Sequence, residues 1–357
     1  SLTPFLIKKT KHTKKHNPYI ILKSKPSMKK TIDVMGLGSA LMDFLVEVDD
    51  NTLMEFDLKK GEMHLVDQEK TKSVLQKIKD KNLEIEIIPG GCASNTLKGI
   101  ALLGGHVIFC GAVGKDEHGE IYEQEIQKLG VQSKVSPTPP NMTGHAVTFI
   151  TPDSERTFST HLGAAIHLRP EHVLEDDIKK SQVLHLEGYQ LEGDTRATVL
   201  HAIEFAKKHN TLVSIDLADP GVIRRNKEFI ADLVKNKIDI VFMNEMEAKE
   251  FTGKEEHEAL AHAQDLCQIT IVKLGAKGSL IASQGETFTI DPIKANPVDT
   301  TGAGDSYAAG FLYGLTHNWP LDKAGKLGSL LAARVIEQKG AGMKDISAKE
   351  LIHKALE

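Results

Sequence analysis

Short apolar segments alternate with segments of helical periodicity along most of the chain. The apolar segments, each four to seven residues long and typical of buried strands, are 32–37, 107–113, 183–186, 212–216, 238–242 and 269–274. Helical patterns lie between them at 95–103, 118–129, 196–209, 245–251 and 255–266. This alternation predicts an α/β fold, in which a parallel sheet carries helices on both faces. We expect the functional loops at the carboxyl ends of the strands.

Two stretches interrupt this alternation with strand-like patterns of period two. One is 44–48, directly after the first strand, and the other is a hairpin formed by 145–150 and 156–162 around the turn 151–155. We expect them to form a small sheet beside the main one, where a flap could cover a site and exclude water. A simple edge hairpin is the alternative.

Composition places the chain among ordinary globular proteins. Of its 357 residues, 40% are hydrophobic and 26% are charged, which suits one large α/β domain with an appendage. No apolar run approaches the roughly 20 residues that span a membrane, so we expect no membrane partner. The three cysteines are odd in number and far apart, which favours a reducing, cytoplasmic compartment over a disulfide framework or a zinc site.

Charge is distributed unevenly along the chain. Residues 1–30 hold nine lysines and no acidic residue, so the net charge of −5 leaves −14 on the remainder. An acidic body binds nucleic acid poorly, and we expect no nucleic-acid partner. The lysine-rich segment predicts a disordered tail, with a targeting or binding arm as the alternative. The folded domain is then expected to begin near residue 31.

The most specific chemical motif is Asp-Thr-Thr-Gly-Ala-Gly-Asp at 299–305, which precedes the apolar run 306–312. Two glycines where a turn opens a helix predict an anion site, because helix N-termini present unpaired N–H groups and a partial positive charge. The charge of Asp305 is unsuited to ligating a phosphate. It suits a base that takes a proton from a hydroxyl group attacking that phosphate. A helix N-cap after a loop is the alternative.

Two further features indicate a site for hydroxyl groups. The loop Pro-Gly-Gly-Cys-Ala-Ser-Asn at 89–95 opens a helix; its paired glycines let a ligand approach the backbone, and Asn95 can donate and accept hydrogen bonds. Asp43, in an apolar stretch at a strand end, can accept hydrogen bonds from a pair of sugar hydroxyls. A tight turn and a turn-forming aspartate are the alternatives. The glycines at 36–38 form no dinucleotide fingerprint, because Leu41 replaces the third glycine and a strand pattern follows.

Asn-Glu-Met-Glu at 244–247 follows a predicted strand. Two acids and an amide in that position can organise hydrated Mg²⁺ near a phosphate, although acidic residues also favour helix N-termini in their own right. Glycine turns occur at Gly275 and Gly278 after a strand, and at Gly340, which ends a helix predicted over 335–340. Each turn is compatible with the edge of a nucleotide site or with a plain turn.

The order of these motifs resembles the ribokinase-like carbohydrate and nucleoside kinase family, the phosphofructokinase-B type, over about residues 31–345. The C-terminal motif matches the family at each defined position from Asp299 to Leu312. The N-terminal motif matches at Gly90, Gly91, Asn95, Gly104 and Gly114, with Leu97 where a smaller residue is usual. Within the family, the segments 36–43, 58–67, 153–164 and 244–248 are similar to those of adenosine kinases and their bacterial relatives.

The resemblance implies a ribokinase-like three-layer α/β fold with a mostly parallel central sheet and a small β-sheet lid. The kinase domain would span 31–350, with lid segments near 43–66 and 142–165. The implied activity is transfer of the γ-phosphate of ATP to a hydroxymethyl group of a nucleoside, above all the 5′-hydroxyl of adenosine, giving AMP in purine salvage. A sugar kinase acting on fructose, ribose or a related sugar is the alternative. A non-catalytic nucleotide-binding protein is the alternative of another class.

The resemblance also implies roles for individual residues, with ATP and Mg²⁺ as cofactors. Asp305 would be the base, with the backbone N–H groups of Gly302, Ala303 and Gly304 around the transferring phosphate. Asp43, Gly91 and Asn95 would hold the acceptor, and Asn244, Gly275, Gly278 and Gly340 would shape the ATP site. Glu247 would hold Mg²⁺ through water, and Asp299 and Thr301 lie where the ligands of a monovalent cation such as K⁺ would begin. Phe149 and Phe158 are the lid candidates for contact with a base. The oligomeric state, monomer or homodimer, stays open.

Overall fold

The computed structural model describes residues 30–138, 142–153 and 155–357. The strands within these ranges are β1 (Ile32–Leu37), β2 (Leu41–Glu47), β3 (Met63–Leu65), β4 (Glu86–Gly90), β5 (Val107–Val113), β6 (Val131–Pro137), β7 (Gly144–Ile150), β8 (Arg156–His161), β9 (Ser181–Glu187), β10 (Leu212–Asp216), β11 (Ile240–Asn244), β12 (Ile269–Lys273), β13 (Ser279–Ser283) and β14 (Glu286–Ile290). The α-helices are α1 (Asp50–Met54), α2 (Gln68–Asp80), α3 (Cys92–Leu102), α4 (Glu117–Lys128), α5 (Glu175–Lys180), α6 (Thr195–Lys208), α7 (Pro220–Arg225), α8 (Lys227–Lys237), α9 (Glu245–Thr252), α10 (Glu256–Gln264), α11 (Ala303–Thr316), α12 (Leu321–Val335) and α13 (Ala348–Leu356).

Nine strands form the main sheet, in the order β14-β13-β12-β11-β10-β9-β1-β5-β6. The seven strands from β12 to β6 run parallel, and β13 and β14 continue the sheet in antiparallel fashion. Helices cover both faces, so the central strands are apolar throughout. Buried residues of α3, α11 and α12 pack on one face, and those of α6 to α10 pack on the other. The predicted three-layer α/β fold with a mostly parallel central sheet is confirmed.

The second sheet has five strands in the order β3-β8-β7-β2-β4, and its two faces differ. On one face, the ring centre of Phe149 lies 4.5 Å from that of Phe56, in a core shared with α1 and α2. Thr157 pairs with Phe149, so Arg156 and Phe158, which are half-buried, lie on the opposite face. The predicted small sheet is confirmed, and we call it the lid sheet. The prediction that Phe149 contacts a ligand is wrong, because its ring faces the helices.

Predicted strand boundaries match residue for residue in some strands of the main sheet and differ by one or two residues in others, such as β9 and β11. β1, β5 and β10 begin and end where the pattern predicts. β6 and β14 were missed because they are edge strands, largely exposed or half-buried, with polar residues on the open faces. The helix predicted over 335–340 ends at Val335 instead, and Gly340 lies beyond it with a left-handed backbone at φ 64°.

The prediction of a disordered tail falls on residues 1–29, which lie outside the described residues. Lys30, the last residue of that predicted tail, donates hydrogen bonds to the carbonyl oxygen of Ser181 at 2.7 Å and to Oγ1 of Thr211 at 2.6 Å. The folded part of the chain therefore includes Lys30. None of the helices in the described ranges is long and apolar enough to cross a bilayer.

Candidate active site

The motif at 299–305 forms the turn that opens α11. Gly302 is the N-cap of this helix and has a left-handed backbone at φ 73°. A Cβ atom at this position would lie 2.6 Å from the Cβ of Ala341, so the turn accepts only glycine. The N–H groups of Gly304 and Asp305 meet no backbone acceptor among the described residues. The start of α11 therefore presents the unpaired donors of an anion site.

Asp305 lies in the first turn of α11 and contacts α3. Its Oδ2 accepts a hydrogen bond from Nδ2 of Asn95 at 2.9 Å, and its carbonyl oxygen accepts one from Oγ1 of Thr96 at 3.2 Å. Burial raises the pKa of the Asp305 carboxyl to about 7, although the hydrogen bond from Asn95 acts to lower it. A carboxyl group with a pKa near neutrality is suited to general-base catalysis. Two of the predicted site residues, Asp305 and Asn95, are thus in direct contact.

The side-chain oxygen of Asn95 has no hydrogen-bond partner among the described residues, although the residue is only 4% exposed. A buried polar atom without a partner is costly. The position therefore fits a ligand hydroxyl group that donates to this oxygen.

Asp43 lies on β2, packed against the glycine loop that precedes α3. A Cβ atom on Gly90 would lie 2.2 Å from Oδ2 of Asp43, so the carboxylate fits only because Gly90 has no side chain. Gly91 has φ 92°, and a Cβ there would lie 2.0 Å from the carbonyl oxygen of Ser39. Gly91 therefore serves close packing of two loops. We call Asp43, Asn95, Arg156 and Phe158 the acceptor side of the site.

Lys98 on α3 is a cation near Asp43 that the sequence analysis missed. Its Nζ donates to the carbonyl oxygen of Pro89. Burial raises the pKa of Asp43 to about 6, and Lys98 opposes this shift; burial lowers the pKa of Lys98 to about 8, and Asp43 opposes that. Both groups are therefore mostly charged at pH 7, which keeps Asp43 a hydrogen-bond acceptor. In the sequence, Lys98 could have been noticed because it lies three residues after Asn95, within the N-terminal motif that includes Gly91 and Gly104.

A second missed residue, Glu187, ties two loops together. It ends β9, is 1% exposed, and accepts hydrogen bonds from the N–H of Ser39 at 2.7 Å and the N–H of Ala93 at 3.0 Å. These bonds hold the turn between β1 and β2 against the glycine loop. The signal was an acidic residue directly after the apolar segment 183–186.

A cavity of about 840 Å³ lies beside the start of α11. Its lining includes Asn244, Lys273, Gly275, Gly278, Ala303 and Gly304, with apolar side chains that include Ile293, Ala332, Ala333 and Ile336. Apolar walls next to a helix N-terminus fit a nucleotide. We call Asn244, Glu247, Lys273, Gly275 and Gly278 the nucleotide side of the site. Gly340 lies outside the lining, and its N–H instead donates to Oδ2 of Asp299 at 2.7 Å.

Asn244 and Glu247 form a capping box at the start of α9. Oδ1 of Asn244 accepts from the N–H of Glu247 at 2.9 Å, while the Glu247 carboxylate accepts from the N–H and Nδ2 of Asn244 at 2.8 and 2.6 Å. The alternative that these acidic residues simply begin a helix is therefore confirmed, and the Mg²⁺ role of Glu247 stays a prediction. Burial, followed by the nearby Asp216, raises the pKa of Glu247 to about 7.

Both carboxylate oxygens of Glu247 accept hydrogen bonds from Asn244, so a divalent cation near this carboxylate would fit only as a hydrated ion. Within the described ranges, no three histidine, cysteine or acidic side chains converge into a metal-binding group. A divalent cation here would thus be held through water and by ligand phosphates.

Asp299 and Thr301 lie in a tight turn that contacts the lid sheet. Oδ1 of Asp299 accepts hydrogen bonds from the N–H and the hydroxyl group of Thr301, both at 2.8 Å. Arg156 of β8 forms an ion pair with the same oxygen at 3.0 Å and donates to the hydroxyl groups of Thr300 and Thr301. Since both oxygens of Asp299 have protein partners, a K⁺ ion near this turn would depend on backbone carbonyl groups. Arg156 was not predicted as a site residue; its signal was an arginine beside the hairpin turn.

Known proteins with similar sequences are sugar and nucleoside kinases. The family description that matches the chain is pfkB family carbohydrate kinase, over residues 58–348. A 5-dehydro-2-deoxygluconokinase of Listeria monocytogenes is 30% identical over 275 residues, covering 73% of this chain and 85% of that protein. An adenosine kinase of Saccharomyces cerevisiae is 29% identical over 331 residues, covering 87% of this chain and 96% of that protein.

Solved structures agree with these sequence matches. A probable sugar kinase from Rhizobium etli superposes with a TM-score of 0.84 at 31% identity, covering 92% of this chain and 99% of that chain. The adenosine kinase of Sinorhizobium meliloti also has a TM-score of 0.84 and 31% identity, covering 91% of this chain and 99% of that one. By name, the similar proteins include kinases of sugars, of a sugar acid and of adenosine.

Proposed function

Since the chain belongs to the pfkB family of carbohydrate kinases, and is therefore a phosphotransferase acting on a sugar or a nucleoside, we propose that its acceptor is adenosine. The reaction would transfer the γ-phosphoryl group of ATP to the 5′-hydroxyl group, giving AMP and ADP. Such a reaction belongs to purine salvage.

The observation that carries this proposal is an exposed apolar surface beside Phe158, on the lid-sheet face opposite Phe149. Phe158 pairs with Met63 across β8 and β3, and Leu65 follows on the same face. Met63 is 44% exposed and Leu65 is 63% exposed. Arg156 also lies on this face and reaches Asp299, so the face is directed toward the phosphate motif. A flat nucleobase would bury this apolar surface, whereas a free sugar would leave it in water.

The acceptor side also supports recognition of ribose hydroxyl groups. The ionised carboxylate of Asp43 and the unpartnered Oδ1 of Asn95 are both hydrogen-bond acceptors. Sugar hydroxyls can donate to both. Because Asn95 also donates to Asp305, a sugar held by Asn95 would bring its hydroxyl group close to the proposed base.

In the proposed reaction, Asp305 acts as the general base. The 5′-hydroxyl proton passes to its carboxylate as the oxygen attacks the γ-phosphorus, and the bond to the bridging oxygen of ADP breaks. Backbone N–H groups of Gly302 and Gly304 would stabilise charge on the transferring group, whereas the N–H of Ala303, also expected there, donates to the carbonyl oxygen of Thr300 at 3.3 Å. The contact of Arg156 with the 299–305 turn would keep the lid sheet over the site and exclude water.

The same arrangement supports a binding place for each of the two cations, Mg²⁺ and K⁺. Bound Mg²⁺ supplies positive charge at the phosphates, and Glu247 with Asn244 would hold it through water. Asp299 and Thr301 shape the turn where a K⁺ ion would bind through carbonyl groups. ATP itself would lie in the 840 Å³ cavity, against Gly275 and Gly278.

The proposal is tested by measuring ADP release from Mg-ATP in the presence of K⁺. Parallel reactions contain adenosine, inosine, ribose, fructose, 5-dehydro-2-deoxygluconate or no acceptor. We expect adenosine to stimulate ADP release most strongly and to yield AMP. Stimulation by ribose or fructose in place of adenosine would overturn the nucleoside assignment and leave a sugar kinase. Binding of ATP with no ADP release in any reaction would favour a non-catalytic nucleotide-binding protein.

A sugar acid is the second candidate acceptor, and Lys98 is the observation that favours it. Relatives named 5-dehydro-2-deoxygluconokinase are 30–31% identical to the chain. A buried ammonium group near Asp43 could pair with the carboxylate of such an acid. Stimulation of ADP release by 5-dehydro-2-deoxygluconate, with none by adenosine, would assign this acceptor instead.

A further inference from the structure

Lys273 and Asp216 form an ion pair within the nucleotide side of the site. Lys273 ends β12 and Asp216 ends β10, with β11 between them in the sheet. Nζ lies 2.6 Å from Oδ2, and the two side chains are 13% and 10% exposed. The pair therefore lies at the carboxyl edge of the parallel strands, where open α/β sheets bind ligands.

The ammonium group of Lys273 lies directly against the first turn of α11. A Cβ atom built on Gly304 would be 3.0 Å from Nζ, and Lys273 lines the same cavity as Gly304. Of the three N–H donors of the ammonium group, Asp216 accepts from one. A cation with remaining donors thus lies beside the unpaired N–H groups of the helix start.

Asp216 is the carboxylate in direct contact with this ammonium group, and Glu247 and Asp305 act on it from farther away. Burial alone would lower the pKa of Lys273, but Asp216, Glu247 and Asp305 outweigh it and raise that pKa above its ordinary value. The raised pKa keeps the ammonium group charged at neutral pH. Negative charge on these side chains would repel a triphosphate, and a positive group that can reach the phosphates would offset that repulsion.

We propose that Lys273 donates hydrogen bonds to the phosphates of a bound nucleoside triphosphate, and that Asp216 positions it for this contact. The inference rests on the proposed function, because it requires ATP in the cavity. Bonds between an ammonium group and phosphate oxygens are among the stronger hydrogen bonds in proteins. Lys273 would then share the phosphate charge with the N–H groups of α11, while Asp216 touches only the lysine.

The test is calorimetric titration of the full chain with Mg-ATP and, separately, with inorganic tripolyphosphate. Lys273→Met alone leaves Asp216 as an unpaired buried charge, so the main variant is Lys273→Met combined with Asp216→Asn. We expect its dissociation constant for ATP to rise about 10- to 100-fold, as for loss of a charged hydrogen bond. The control is Lys207→Met, which breaks a 2.8 Å pair with Asp239 away from the site and should leave ATP affinity unchanged.

Two further measurements separate nucleotide contact from a role in folding. The double variant should keep the thermal stability of the parent and its KM for the acceptor. Asp216→Asn keeps the ammonium group but loses the partner that positions it, so its loss of ATP affinity should be smaller than that of the double variant. Unchanged ATP affinity in the double variant would overturn the inference. An equal loss in Asp216→Asn would overturn it too, since the pair would then act only through the fold. If the parent chain binds no ATP, the proposed function fails first and the inference with it.

Discussion

The nucleotide side and the acceptor side of the site are built differently. The nucleotide side takes Asn244 and Lys273 from adjacent strands of the main sheet and its N–H groups from one helix start. The acceptor side combines Asp43 and Arg156 from separate strands of the lid sheet with Asn95 from α3. Phosphate binding therefore depends on one preformed edge, whereas acceptor binding depends on how two sheets meet.

The largest expected effect is that of Asp305→Asn, which should slow the chemical step without weakening the binding of ATP or the acceptor. Asp305→Asn keeps the shape of the side chain but removes the base, and kcat should fall about 10²–10⁴-fold. Dissociation constants for ATP and the acceptor should stay close to those of the parent. The measurement is steady-state ADP release together with calorimetric titration. Asp265→Asn, on the exposed C-cap of α10, is the control and should keep the parent kcat.

The same substitution should stabilise the fold at alkaline pH. The folded-state pKa of Asp305 lies above its unfolded value, so the stability that its protonated form contributes is present at pH 4 and lost as the pH rises through about 7. Thermal melting of Asp305→Asn should therefore exceed that of the parent at pH 8 and match it near pH 4. A lower melting temperature at pH 8 would contradict the buried, poorly solvated carboxylate.

Arg156→Met removes the contact between the lid sheet and the 299–305 turn, which lies between the two sides of the site. Loss of its charged hydrogen bonds to the 299–305 turn should lower kcat/KM about 10- to 100-fold. Arg156→Lys should recover part of this loss, because it keeps the charge but not the forked geometry. Arg224→Met, which removes an exposed pair with Glu250, should leave kcat/KM unchanged. Parent-like kinetics in Arg156→Met would show that the lid sheet does not need this contact.

The acceptor side alone is tested by Asp43→Asn. We expect the KM for the acceptor to rise about 10-fold, because a neutral amide accepts hydroxyl hydrogen bonds less strongly than a carboxylate. The KM for ATP should not change. Asp50→Asn, an exposed residue paired with Lys60 beside the lid sheet, is the matched control. Equal rises in both KM values would contradict the separation of the two sides.

The smallest effect is a shift in pH dependence. Because Asp305 must lose its proton to act as base, kcat should rise with pH through about 7 and then level off. Asn95→Leu removes the hydrogen bond that lowers this pKa, so the half-maximal pH should move upward. The measurement is kcat from pH 5 to pH 9 at saturating substrates. A downward shift would show that Asn95 does not stabilise the ionised form.

Residues in contiguous motifs could be predicted from the sequence better than residues whose position depends on distant packing, for physical reasons. Asp305 and Asn244 lie in contiguous motifs at the ends of regular elements, where local patterns report on position. The roles of Arg156 and Lys98 depend on the packing of segments that are distant in the sequence. No local pattern shows which face of a lid strand is covered. Phe149 illustrates the limit, since one position along β7 decides whether an aromatic ring meets a ligand or a helix.

The division into two sides is tested most directly by titrating ATP and the active acceptor separately into two variants. Asn244→Ser keeps a helix N-cap but removes the amide group of a residue that lines the nucleotide cavity, and Asp43→Asn alters only the acceptor side. We predict that Asn244→Ser weakens ATP binding and leaves acceptor binding unchanged, with the reverse in Asp43→Asn. Loss of both ligands in either variant, with the fold intact, would contradict the account.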